Sequence, residues 1–116
     1  MERMKDVKAI VRVDFVAQLI QALRNADVAR FYVSRVHAFG AGVDPEDFRL
    51  SMDEGGSYTE KAKVAFLCRA ENVDELVTVI REASGTGHRG DGVVIVSDVT
   101  DVVNVRTGEH DRFALL

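Results

Sequence analysis

Apolar positions recur along this chain in two alternating rhythms. Val7-Lys8-Ala9-Ile10-Val11-Arg12 is a short, mostly apolar run and predicts a first strand. Val16, Leu19, Ile20 and Leu23 then fall at helical spacing behind Asp14, a residue suited to cap a helix start, and Asn25-Ala26-Asp27 ends the pattern. Phe31-Tyr32-Val33-Ser34-Arg35-Val36 is β-branched and aromatic, which predicts a second strand. From Gly40 to Glu60 both rhythms dissolve into glycines, acids and the single proline, Pro45. They resume with a strand over Lys61 to Cys68. A helix follows from Asn72, where Glu75 completes a start resembling a capping box and Val73, Leu76, Val77, Ile80 and Ala83 form an apolar stripe. Val93–Val96 reads as a fourth strand and Val102–Arg106 as a short fifth.

The order is strand-helix-strand, long loop, strand-helix-strand. It predicts one α+β domain over residues 1–116, a ferredoxin-like βαββαβ unit with an antiparallel sheet. In that architecture both helices cover one face of the sheet. Yet Val64–Leu67 and Val93–Val96 are apolar at successive positions, so the other face also calls for cover. Self-association is the simplest way to supply it. A 21-residue stretch without regular structure is uncommon in so small a domain. The 40–60 segment is therefore expected to be an exposed recognition arm.

Composition narrows the function. The 116 residues carry a net charge of −4, with 47% hydrophobic and 29% charged residues, as in a soluble globular protein. The negative charge argues against a broad nucleic-acid surface. The lone cysteine, Cys68, lies in an apolar run, reads as a small core residue and fits a cytoplasmic location. The charged opening, Met1 to Asp6, shows no leader pattern, and no stretch is suited to membrane insertion.

The segment richest in chemistry is Thr86-Gly87-His88-Arg89-Gly90-Asp91-Gly92, between the second helix and the fourth strand. Three glycines in six residues allow a tight bend whose amides can approach phosphate oxygens. Asp91 reads as a cap for that bend. His37, His88, His110 and Cys68 have no chelating spacing, so no metal site is expected. No nucleophile-base set or convincingly spaced carboxylate pair suggests catalysis.

Ala9-Ile10-Val11-Arg12, Phe39-Gly40, Thr86-Gly87 with Gly90-Asp91-Gly92, and Val105-Arg106-Thr107-Gly108-Glu109 together resemble the PII nitrogen-signalling proteins, collinearly over essentially the whole chain. The resemblance implies a homotrimer that is a sensor and not an enzyme. It would bind adenine nucleotide between subunits and act on a protein target through the exposed T-loop, here about residues 40–60. By position, Ile10, Gly40 and Leu67 would line the nucleotide pocket. Thr86 through Gly92, including His88 and Arg89, would cradle phosphates, and Arg106 would reach them. Arg12 and Lys61 would contact the distal carboxylate of 2-oxoglutarate. Pro45, Phe48, Arg49, Leu50 and Met52 would present the loop to its target, with Asp44, Glu46, Asp47, Asp53 and Glu54 favouring a basic partner.

The departures from the family pattern are informative. Gly42 replaces the glutamine that usually helps hold magnesium and 2-oxoglutarate, Ala41 and Asn104 replace arginines, and Val93 replaces a lysine. Each charge-assisted bond is worth about 1.5–3 kcal/mol, so the γ-phosphate loses most and ADP or AMP should gain over ATP. Magnesium-dependent sensing of 2-oxoglutarate is not expected to survive. Glu54 and Met52 stand where relatives carry modified tyrosine or serine. The competing readings are a metal-responsive or other small-ligand-sensing trimer of the same architecture, or a small nucleotide-processing enzyme.

Overall fold

A computed structural model describes residues 3–116; Met1 and Glu2 of the charged opening lie outside the described residues. The elements are strand β1 (Met4–Arg12), helix α1 (Val16–Asn25), strands β2 (Phe31–Ala38), β3 (Arg49–Ser51) and β4 (Gly56–Arg69), helix α2 (Val73–Ser84) and strand β5 (Gly92–Val99). The sheet order is β2-β4-β1-β5, every pairing antiparallel, with β3 added beside β4. This is the ferredoxin-like α+β arrangement.

Alternation along β1 and β4 sends Val7, Ala9 and Val11, with Ala62, Val64, Phe66 and Cys68, to one face. There they pack beneath Leu19 and Leu23 of α1 and Leu76 and Ile80 of α2. Burial at these positions is what folds the chain, at roughly 25 cal/mol per Å² of apolar surface removed from water. The opposite face carries Ile10, which lies across from Lys63 and Val93, and Tyr32, across from Ala65. Tyr32, Val93 and Ile95 on that face are exposed in the single chain.

Four local expectations need correction. Asp14 does not cap α1: Val13–Phe15 forms a 3-10 turn first, and neither that turn nor the helix has a side-chain cap. Asn72 likewise makes no side-chain capping bond, because another 3-10 turn, Ala70–Asn72, leads into α2. The 40–60 segment is not without regular structure. It holds a 3-10 turn at Gly40–Gly42 and a hairpin of β3 against the start of β4. Finally, Val102–Arg106 is no strand. Asn104 diverts two backbone amides, those of Arg106 (2.9 Å) and Thr107 (3.0 Å), to its own Oδ1. The segment becomes a turn with one bridge, Val103 to His110.

Candidate functional site

The Thr86–Gly92 turn is built around one carboxylate. Asp91 Oδ2 accepts the amides of Thr86 and Gly87, both at 2.8 Å, and Oδ1 accepts the Thr86 hydroxyl. Asp91 thus caps the turn. The His88 amide donates to Thr86 Oγ1 at 3.2 Å. The amides of Arg89, Gly90 and Asp91 have no acceptor among the described residues. These donors are among what the turn can offer an anion.

Arg12, the last residue of β1, closes the turn from below. Its Nη1 pairs with Asp91 and with Thr86 Oγ1 (3.1 Å), its Nη2 donates to the Arg89 carbonyl (2.6 Å), and its Nε reaches Asp44 Oδ2 (3.3 Å). Lys61, directly across from Arg12 in the sheet, is only 2% exposed and donates to the Gly90 carbonyl. Burial and the neighbouring Arg12 charge lower the Lys61 pKa, partly offset by Asp44 and Asp91. Burial raises the Asp91 carboxyl. The bonds from Thr86, Gly87 and Arg12 outweigh it and hold Asp91 far below the usual carboxylate range.

Gly90 and Gly92 are required by this geometry. Both have positive φ, +96° and +104°. A Cβ on Gly90 would stand 2.9 Å from both Arg12 Nη2 and Asp44 Oδ2, and one on Gly92 would overlap the Ile10 carbonyl.

Asp44 lies among the acids of the loop in sequence, but it is 7% exposed and belongs to this network. The Glu46 amide lowers its pKa, burial raises it, and Arg12 and Lys61 lower it again. Its own amide donates to Thr59 Oγ1 at 2.6 Å, and that hydroxyl donates to the Asp47 carbonyl at 2.7 Å. The available signal was local: Asp44-Pro45-Glu46 is an Asx-turn pattern, and Asp44 Oδ1 accepts the Glu46 amide at 3.0 Å. The Arg12 partnership spans 32 residues and has no sequence signature.

The structure therefore brings Thr86 through Gly92 together with Arg12 and Lys61. A cavity of about 590 Å³ opens beside them, lined by Arg12, Asp44, Thr86, His88 and Arg89. It does not bring Leu67 or Arg106 there. Both line a separate cavity of about 470 Å³ with Arg30 and Tyr32. Leu67 lies six residues along β4 from Lys61, about 20 Å away. Ile10 sits between these ends, on the uncovered face. Gly40, at positive φ, opens the arm. Of the loop residues, Pro45, Phe48, Arg49, Leu50 and Met52 are exposed, Leu50 by 75% and Met52 by 95%. The arm rests on β2 through His37, which stacks on Tyr58 (4.0 Å between centroids) and meets Glu54 at 2.5 Å.

The residues present do not fit magnesium-bound 2-oxoglutarate. Gly42 has no side chain to ligate a metal, and a Cβ there would stand 3.0 Å from that of Ala38. Arg12 and Lys61 already donate to the chain's own oxygens. Among the described residues, no group of three or more His, Cys, Asp or Glu side chains is placed to hold a metal ion. No helix among them is long and apolar enough to cross a membrane.

The family model described as nitrogen regulatory protein P-II matches residues 4–109. The chain is 31% identical over 115 residues to nitrogen regulatory protein P-II 1 of Methanothermobacter thermautotrophicus, covering 99% of this chain and all of the relative. It is 32% identical over 112 residues to the P-II protein of Synechocystis, covering 97% and 100%. Among solved structures, Arabidopsis thaliana PII bound to citrate superposes with a TM-score of 0.80 at 29% identity, covering 97% of this chain and 92% of that one. A B. subtilis GlnK-ATP complex gives 0.76 at 25% identity, covering 97% of each.

Proposed function

This chain belongs to the nitrogen regulatory protein P-II family, and we propose that it is a homotrimeric signalling protein that binds adenine nucleotide where two copies meet. The observation that carries this reading is the split of the candidate residues. An anion-accepting turn lies at one end of the sheet, and Leu67, Tyr32 and Arg106 line a cavity at the other. The turn's amides and Arg106, both assigned to phosphates, lie too far apart to grip one nucleotide within a single chain. Copies meeting through the apolar face that carries Ile10, Val93 and Ile95 would bring one end of each against the other end of its neighbour. The GlnK-ATP complex of similar fold supports the ligand class.

Arg12 and Lys61 are neutralised within the chain, so the phosphates are held by the Arg89 and Gly90 amides, by Arg89 and by Arg106. That donor set suits ADP or AMP better than ATP. The arm, with exposed Glu46, Asp47, Asp53 and Glu54 around Leu50 and Met52, suits a protein target with a basic, apolar-lined surface. The protein is a regulator in nitrogen or related metabolism, not a catalyst, and the unpaired, buried Cys68 suits the cytoplasm.

Calorimetry with ATP, ADP, AMP, 2-oxoglutarate and magnesium, combined with sedimentation, tests the reading. Saturable adenine-nucleotide binding by a species of three chains is expected, with no heat from 2-oxoglutarate. A single-chain species that binds none of the nucleotides would overturn it.

A further inference from the structure

We propose that three copies of this chain enclose a tetrahedral oxyanion where they meet, held by the Lys63 ammonium of each. The proposal rests on the homotrimer inferred above and adds to it a second kind of ligand, shared by all three copies.

Strand alternation fixes the face on which Lys63 stands. Its neighbours Ala62 and Val64 are buried on the helix side, so Lys63 belongs to the opposite, uncovered face. It occupies the middle of that face, with Ile10 of β1 on one side and Ser34 of β2 on the other.

Charge on this face nearly balances within one chain. Arg12 and Lys61 are matched by Asp44 and Asp91, and Lys8 pairs with Asp6 at 3.0 Å. The β2 and β5 residues that share the face, Tyr32, Ser34, Val36, Val93, Ile95 and Ser97, carry no charge. Lys63 is left over: it has neither an ion pair nor a hydrogen bond among the described residues. In a single chain, water solvates its ammonium. Between copies water is excluded, and a charge buried without a partner is costly.

Symmetry makes the cost larger. In a closed ring of three, each copy meets its two neighbours through two different patches, and the seam between the patches follows the axis. The middle of the face lies on that seam. Lys63 therefore approaches its two equivalents, and three like charges gather with no acid to offset them. A tetrahedral oxyanion such as phosphate or sulfate answers both needs. Three of its oxygens can each accept one ammonium, and its negative charge offsets theirs. Lysine suits the role, because its compact ammonium is a point charge on a flexible stem. Ile10, directly across from Lys63, and Ala65, two residues along the strand, have no polar side-chain atom to compete for it.

Equilibrium dialysis of the full chain against labelled phosphate and, separately, labelled sulfate tests the proposal, with sedimentation of the same samples and chloride at equal ionic strength as the blank. One class of oxyanion site is expected at one per three chains. Oxyanion on the glycine turn would add a class at one per chain. Lys63→Met is expected to lose the shared class, to keep any per-chain class and still to assemble. A wild-type trimer with no oxyanion bound at one per three chains would overturn the site and leave the trimer standing. So would a Lys63→Met trimer that retains the shared class. A single-chain species throughout would overturn the trimer and the site together. If the shared class is missing and Lys63→Met instead loses ADP, Lys63 belongs to the nucleotide and the proposal fails. Should Lys63→Met not fold or assemble, selenate soaked into wild-type crystals decides. An anomalous peak between three Lys63 ammonium groups supports the site, and its absence overturns it.

Discussion

Two turns of this molecule use the same device with opposite electrical results. In the Thr86–Gly92 turn, Asp91 gathers two backbone amides onto one side chain. In the tail, Asn104 gathers the amides of Arg106 and Thr107 in the same way, while its Nδ2 donates to the Ala114 carbonyl at 2.9 Å. A carboxylate in that role needs a counter-charge, and Asp91 draws in Arg12. A carboxamide needs none, and the Arg106 guanidinium has no partner among the described residues. Asp91 and Arg12 neutralise each other and tie the first turn to the core; Asn104 places no such tie on Arg106. The choice of Asp or Asn at the centre of a turn thus decides whether a nearby arginine is structural or available.

The largest expected break in this comparison is steric. Gly92→Val drives a Cβ into the Ile10 carbonyl and should cost more than about 3 kcal/mol. Gly108→Ala in the tail also has positive φ but meets open space, and should cost about 1 kcal/mol. Denaturant midpoints of the two variants measure the gap. Next comes charge. Asp91→Asn keeps an acceptor for the amides but removes the Arg12 pair, and is expected to cost about 2 kcal/mol. Asn104→Asp should cost about 1 kcal/mol, the loss of its bond to Ala114. Reversal of that order would undo the contrast.

Arg106→Ala should leave stability within about 0.5 kcal/mol of wild type and weaken nucleotide binding about tenfold or more, read by calorimetry. The smallest effect is that of pH. A carboxyl whose folded pKa is depressed adds stability that is complete above its unfolded value, near 3.9, and disappears as pH falls through the folded value. The Thr86 and Gly87 amide signals should therefore hold steady down to about pH 4 and move only in stronger acid. Direct titration is absent at Asn104, so the Arg106 and Thr107 amides should follow only changes in neighbouring groups.

Much of this was legible in the sequence, for physical reasons that differ by region. The core strands and both helices announce themselves because burial on one face imposes a period: Val7, Ala9 and Val11 for one rhythm, Leu19 and Leu23 for the other. Asp91 was legible as a cap because its partners lie within five residues. The arm's hairpin was not, because β3 is three residues long with Leu50 exposed, so no burial pattern marks it. Nor was the closure of Arg12 and Lys61 on the chain's own oxygens. That depends on Asp44, 32 residues from Arg12, being inside rather than on the acidic surface. Val102–Arg106 misled for the opposite reason. Its β-branched residues favour a strand, but one side-chain oxygen at Asn104 outcompetes the ladder for two amides.

Under the proposed sharing of the nucleotide site between copies, the roughly 20 Å separating the glycine turn from Arg106's cavity has a genetic consequence. Lesions at the two ends of one polypeptide need not be equivalent when alleles are mixed. A gene crippled in the turn and another crippled at Arg106 would each be silent alone. Expressed together, their products would form some hybrid junctions in which both contributing surfaces are intact, and a fraction of the receptors would return without any reversion of sequence.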